Sequence, residues 1–139
     1  LGKVDRFPLA DERTRAMSPD DDTDRETRLL LDPCVDDPEP CLGYDPMGDI
    51  LARDDNPKGR ATIEVFHLRR RRLRDARREI IALTIAVLAA VRRLHDRGDA
   101  EAVAEFEVFL GERVTGANCE YAGAARFVRR HPDLFGIQP

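Results

Sequence analysis

The chain has 139 residues, of which 42% are apolar and 36% charged, and its formal net charge is -4. That length allows a modest core, and the balance is that of a globular protein with a wet surface. The longest apolar run, Ile80–Val91, is too short to span a bilayer, and the start has no apolar signal segment, so neither a membrane protein nor a secreted one is expected.

The three cysteines, Cys34, Cys41 and Cys119, leave an odd number, which fits a reduced, cytoplasmic protein without a disulfide framework. Without tryptophan and with few aromatics, the core must be mostly Leu, Ile, Val and Ala. The net charge conceals a split. Residues 1–60 carry nine basic and sixteen acidic side chains, and residues 61–139 carry fourteen and eleven.

In chain order, Leu1–Leu9 reads as an extended entry segment around Phe7-Pro8. Asp11–Met17 suits a helical turn. Ser18–Asp24 suits an acidic loop, or the cap of a turn running to Arg28. Leu29–Leu31 is a short apolar run stopped by Asp32-Pro33, as expected of a brief buried strand. Pro38 and Pro40 keep Cys34–Pro40 irregular. Leu42–Tyr44 and Ile50–Ala52 flank Asp45-Pro46-Met47-Gly48, a type I turn sequence, so a β-hairpin is expected over 42–52. Arg53–Gly59 reads as a second loop, with Thr62 as the N-cap of a short helix to Leu68.

A long helix is expected from about Arg70 to Asp96. Leu73, Ile80, Val87 and Leu94 recur at sevens, with Ala76, Leu83 and Ala90 between and with Ile81, Leu88 and Val91 widening the stripe. Gly98 stops it and Asp99 caps the next helix, about Ala100–Val114, which turns Val103, Phe106, Leu110 and Val114 one way. A last helix, about Cys119–Arg130, offers Tyr121, Ala124, Ala125 and Val128 for packing and ends before Pro132. The fold class is mainly α (α+β): a loop-rich segment 1–60 with its hairpin, packed on a three- to four-helix bundle over 61–139 with one long central helix.

Seven arginines fall between Arg69 and Arg78. Such a cluster can neutralise phosphates, or it can form a solvated face paired with Asp75 and Glu79. Arg69–Arg72 can also clamp Asp32, Asp36 and Asp37. The loop acids Asp36, Asp37 and Glu39 can be read as a metal-binding cluster, but their flexible spacing fixes no ligand geometry, and the plainer reading is a solvated loop whose carboxylates accept turn amides. His67, His95 and His131 are far apart in sequence and make no His-Asn-His pattern, and there is no CxxC pair.

Several pieces stand in a characteristic order: Arg6-Phe7-Pro8-Leu9, Leu31-Asp32-Pro33 with Asp36-Asp37-Pro38-Glu39, Tyr44 to Gly48-Asp49-Ile50, Thr62-Ile63 with Leu68 and Leu73, and Tyr121-Ala122-Gly123-Ala124-Ala125-Arg126. Together they resemble the segment that follows the nuclease motif in bacterial HNH endonucleases of Septu-type and retron-linked antiphage operons. Where that family has Asn before Arg, this chain has Arg69-Arg70. The resemblance implies that the ββα-metal finger, with its general-base histidine and divalent metal, precedes these residues. No catalytic residue, metal ligand or cofactor is therefore assigned in this chain, and a divalent metal is expected only in a full-length enzyme. The resemblance further implies contact with DNA or RNA, for which Arg70, Arg71, Arg74 and Arg77 are the candidates, and an ATPase subunit of a defence operon as partner. The alternative is a non-catalytic helical interaction module, docking through the exposed part of the Ile80–Val91 stripe.

Overall fold

The computed structural model describes residues 7–138, so Leu1–Arg6 of the expected extended segment lie outside the described residues. The chain is mainly helical with one small hairpin. It consists of strands β1 (Leu42–Tyr44) and β2 (Ile50–Ala52), then helices α1 (Pro57–Val65), α2 (Arg71–Asp96), α3 (Ala100–Phe109) and α4 (Ala122–Arg130), with short 3-10 turns between. It divides into two compact units, one made of 1–43 and 51–69, the other of 44–50 and 70–139.

In the first unit, Asp11–Met17 provides one 3-10 turn, Glu12–Thr14, capped by the Asp11 side chain. A second, Thr23–Arg25, is capped by Asp22. The strand expected at Leu29–Leu31 does not form. A lone bridge pairs Leu9 with Arg28, and the Leu29 amide donates to the Pro8 carbonyl at 3.1 Å. The next amide that needs a partner, that of Leu31, donates instead to the hydroxyl of Thr62 at 2.9 Å.

That bond displaces the expected helix start. Thr62 is not a cap but a buried residue inside α1. The cap is Asn56, whose Oδ1 accepts from the amides of Lys58 and Gly59 at 3.0 and 3.1 Å, with Pro57 at the first helical position. Much of the expected Arg53–Gly59 loop is therefore helix. At the other end His67 takes a left-handed backbone, and the Leu68 amide returns to the Ile63 carbonyl at 3.0 Å, closing the helix. The buried apolar residues of this unit are Leu9, Leu30, Cys41, Leu42 and Ile63.

In the second unit the hairpin turn forms as its sequence requires. Gly48 donates its amide to the Asp45 carbonyl at 3.0 Å, and Asp45 Oδ1 accepts from the amides of Met47 and Asp49, both at 2.9 Å. The spine α2 runs 26 residues and ends as expected, with the amides of Gly98 and Asp99 returning to the carbonyls of His95 and Leu94.

The buried stripe of α2 is rotated from the heptad expectation. Its buried members are Arg77, Ile81, Thr84 and Val87, whereas Leu83 stays exposed. Thr84 can lie fully buried because its hydroxyl donates to the Ile80 carbonyl at 2.7 Å, leaving only a methyl group toward the core.

Helix α3 begins at its Asp99 cap, whose side chain accepts from the Ala102 amide, and passes into a π-helical turn over Leu110–Val114. There the amide and hydroxyl of Thr115 both donate to the Leu110 carbonyl, at 2.8 and 3.0 Å. Helix α4 starts three residues later than expected, at Ala122, after a left-handed Tyr121. Its Ala124 and Val128 pack with Ile81 and Phe135, and its Ala125 packs with Val87, Leu110 and Val114. Two alanines at these positions let the short helix approach closely, which a larger residue would prevent.

Candidate nucleic-acid interface

The cationic region is the start of α2. Arg70 is its N-cap but supplies no side-chain hydrogen bond, and no acidic residue stands in the first turn. The free amides and positive dipole end of a helix favour carboxylates there, not guanidinium groups. Here Arg70, Arg71 and Arg72 follow one another at that end, all exposed, with Arg78 exposed two turns on. Arg71 has a side chain 87% exposed.

Among the described residues, the carboxylate in an ion pair with this end of α2 is Asp75, shared between Arg71 at 3.5 Å and Arg74 at 3.9 Å. Both contacts are long and solvated, so they offset little of the local positive charge.

Arg77 is in a different position from the other three residues expected to contact phosphate. It is buried, and its Nε donates to the Gly48 carbonyl at 2.8 Å. Burial depresses its pKa, while the proximity of Tyr44, Asp49 and Tyr121 works in the opposite direction. A seven-arginine run hides this distinction in sequence. A helical wheel centred on Ile81 exposes it, because Arg77, Ile81, Thr84 and Leu88 share one face. The same wheel turns Arg72 away from Ile81, and Arg78 is exposed at the edge of that face.

The space beside Arg77 is filled by the hairpin turn. An added Cβ on Gly48 would lie 2.3 Å from the Arg74 carbonyl oxygen and 2.7 Å from the Arg78 amide nitrogen. Tyr44 stacks edge-on against Phe127, with ring centroids 5.7 Å apart, and Phe127 in turn meets Phe135 and His131. Burial raises the Tyr44 pKa above its usual value, partly countered by Arg77 and Arg126. The start of α2 is thus held at Arg74, Arg77 and Arg78 by the hairpin turn, while Arg70, Arg71 and Arg72 face water.

The acidic loop has partners of its own. The carboxylates expected to be clamped by Arg69–Arg72 pair within their own unit: Asp32 with Arg28 at 3.3 Å and Asp36 with Lys58 at 3.5 Å. Asp36 also accepts from the Asp32 amide at 2.9 Å, and this bond, with Lys58, lowers its pKa. Asp37 accepts from the Glu39 amide at 3.0 Å. These are turn-closing roles.

Among the described residues no three His, Cys, Asp or Glu side chains gather as a metal site. His67 and His95 are exposed, and His131 stacks on Phe127 with centroids 4.6 Å apart. Cys34 is exposed and Cys41 buried, while the Cys119 thiol donates to the Glu112 carbonyl at 3.3 Å. Among the described residues no helix is long and apolar enough to cross a membrane.

No family model matches the chain, and no solved structure does. Over 78 residues, 56% of its length, it is 36% identical to the Septu protein PtuB of Bacillus mycoides strain KBAB4. The match covers 26% of that protein, so the chain spans about a quarter of the length of this curated relative.

Proposed function

We propose that this chain is a supporting, nucleic-acid-contacting part of an HNH-type endonuclease in antiphage defence. Its similarity to the Septu protein PtuB supports the defence setting. The observation that carries nucleic-acid contact is the start of α2, where consecutive exposed arginines stand at a helix end that would itself favour anions. A local rule broken this clearly is expected where function requires it. A phosphate backbone supplies the missing negative charge, and it is matched by both the guanidinium groups and the uncapped amides.

In this reading Arg70, Arg71 and Arg74 meet phosphate, joined by Arg72 and Arg78. Arg77 instead braces the hairpin turn against the helix that carries them. No cleavage step is assigned to the residues of this chain, and in this reading the divalent metal is held by a finger elsewhere in the full enzyme. An ATPase subunit of the same defence system is the partner proposed for the assembled protein.

The test is a binding titration of the chain with a duplex DNA and a duplex RNA of equal length over a range of salt. Removing n phosphate contacts should flatten the slope of log K against log salt by about 0.9n on B-DNA. An Arg70/Arg71/Arg74→Ala variant should therefore bind more weakly and with less salt dependence. Unchanged affinity and slope would overturn the reading.

A further inference from the structure

The exposed apolar side chains of α3 are not accounted for by the arginine-rich end of α2. Seven of the ten residues of α3 are apolar, yet none of them is buried. A helix apolar on most of its surface is ordinarily covered on most of its surface. Phe106, Val108 and Phe109 are 36%, 58% and 40% exposed.

The exposed side chains are ordered. The exposed Phe106 and Phe109, with the half-buried Ala102 before them, follow the four-then-three spacing that places side chains in one row along a helix. Glu101, Glu105 and Glu112 form the neighbouring row, all exposed. The third acidic residue of α3, Glu107, is instead bound by Arg129 of α4. Glu101, Glu105 and Glu112 make no ion pair among the described residues, and α3 contains no basic residue. Apart from the exposed Arg113, four residues beyond Phe109, the row is bordered on its own segment by glutamates, which makes it complementary to apolar side chains with a basic border.

We propose that this face of α3 docks a helical segment of a partner protein that carries large apolar side chains at helical spacing with lysines or arginines beside them. The aromatic row would provide the buried anchors and the glutamates the register and the encounter rate. The inference does not depend on nucleic-acid binding, since it uses no residue of the arginine cluster.

The test uses the isotopically labelled full chain and a synthetic peptide of about 18 residues, five helical turns, with leucine at helical spacing and lysine elsewhere. A matching peptide with glutamate in place of lysine is the control. The lysine peptide should shift the amide resonances of 100–112, and the glutamate peptide should not. A Glu101→Lys/Glu105→Lys variant, altered only at exposed positions, should weaken binding roughly tenfold while its circular dichroism stays unchanged. A Phe106→Ser/Phe109→Ser variant should abolish it. Shifts centred on the acidic loop 18–24, or equal binding by the charge-reversed variant, would overturn the proposal. So would a concentration-dependent dimer in sedimentation that disappears in Phe106→Ser/Phe109→Ser, because the face would then belong to a second copy of this chain.

Discussion

The Nε of Arg77 donates to the carbonyl of Gly48 across 2.8 Å, fixing the hairpin turn to the start of α2. The contact is tight as well as polar. Gly48 has a backbone φ of +83°, and any Cβ there would meet the Arg74 carbonyl oxygen at 2.3 Å. Gly48→Ala combines a disfavoured conformation with a backbone clash, and it should cost about 2 kcal/mol or more. Arg77→Met should cost about 1–3 kcal/mol, because the Gly48 carbonyl loses its buried donor. Since the two residues share one contact, the double variant should lose less than the sum. Urea denaturation of the four proteins measures this, and additive losses would show that the bond does not couple turn to helix.

A second prediction concerns alkaline pH. Burial raises the Tyr44 pKa above the ordinary value of 10.0. For a group whose folded pKa is raised, the stabilisation is complete below the unfolded pKa and is lost as pH rises through the folded one. The protein should therefore weaken above about pH 10, and Tyr44→Phe should weaken less, because it keeps the edge-on contact with Phe127 and has no proton to lose. The ultraviolet difference titration of the protein against Tyr44→Phe should show the Tyr44 ionisation displaced upward. A difference curve centred at the ordinary tyrosine value would contradict the burial of this hydroxyl.

The sequence made the elements with local signals easy to read, and obscured those set by tertiary contacts. Asp45-Pro46-Met47-Gly48 carries its own turn chemistry, and both hairpin strands lie at the expected residues. The long helix ends where Gly98 and Asp99 indicate. By contrast, Leu29–Leu31 has the apolar content of a strand, but the Leu31 amide finds a side-chain acceptor 31 residues away, which no local pattern reveals. The buried stripe of α2 departs from the heptad pattern for a related reason. Leu83 looks like core and Thr84 like surface until the back-bond of Thr84 to Ile80 is known. The same rotation explains why Arg77 could be grouped with the exposed arginines. An arginine is read as solvated by default, and a buried carbonyl acceptor in a turn 29 residues earlier has no signature of its own.

Thr62 supplies a third prediction. Its hydroxyl is the acceptor for the Leu31 amide at 2.9 Å, and the residue is buried. Thr62→Val preserves the shape and removes the acceptor, leaving a partly buried amide unsatisfied at a cost of about 1–3 kcal/mol. Thr62→Ser keeps the oxygen and should lose less. The amide of Leu31 should exchange with deuterium much faster in Thr62→Val than in Thr62→Ser. Equal exchange would mean that water replaces the hydroxyl without penalty. The cap at Asn56 provides a comparison, where Asn56→Ala should cost about 1 kcal/mol through fraying of α1 alone.

The final prediction sets stability against binding at the start of α2. Arg71 and Arg72 lie in a first turn that has no acidic residue and no side-chain cap. Replacing each with glutamate puts a negative charge at the positive end of the helix, worth about 0.3–1 kcal/mol per residue at low salt, which outweighs the smaller loss of the exposed Arg71–Asp75 pair. If those arginines are kept for phosphate, the same Arg71→Glu/Arg72→Glu change should strongly weaken nucleic-acid binding, since each replaces a cation with an anion beside the backbone. Thermal unfolding and DNA titration of one preparation read both quantities. A rise in melting temperature with a loss of binding is the signature of arginines kept for function at a cost in stability. A fall in melting temperature with unchanged binding would show that these arginines serve the fold, and that phosphate contact lies elsewhere on the protein.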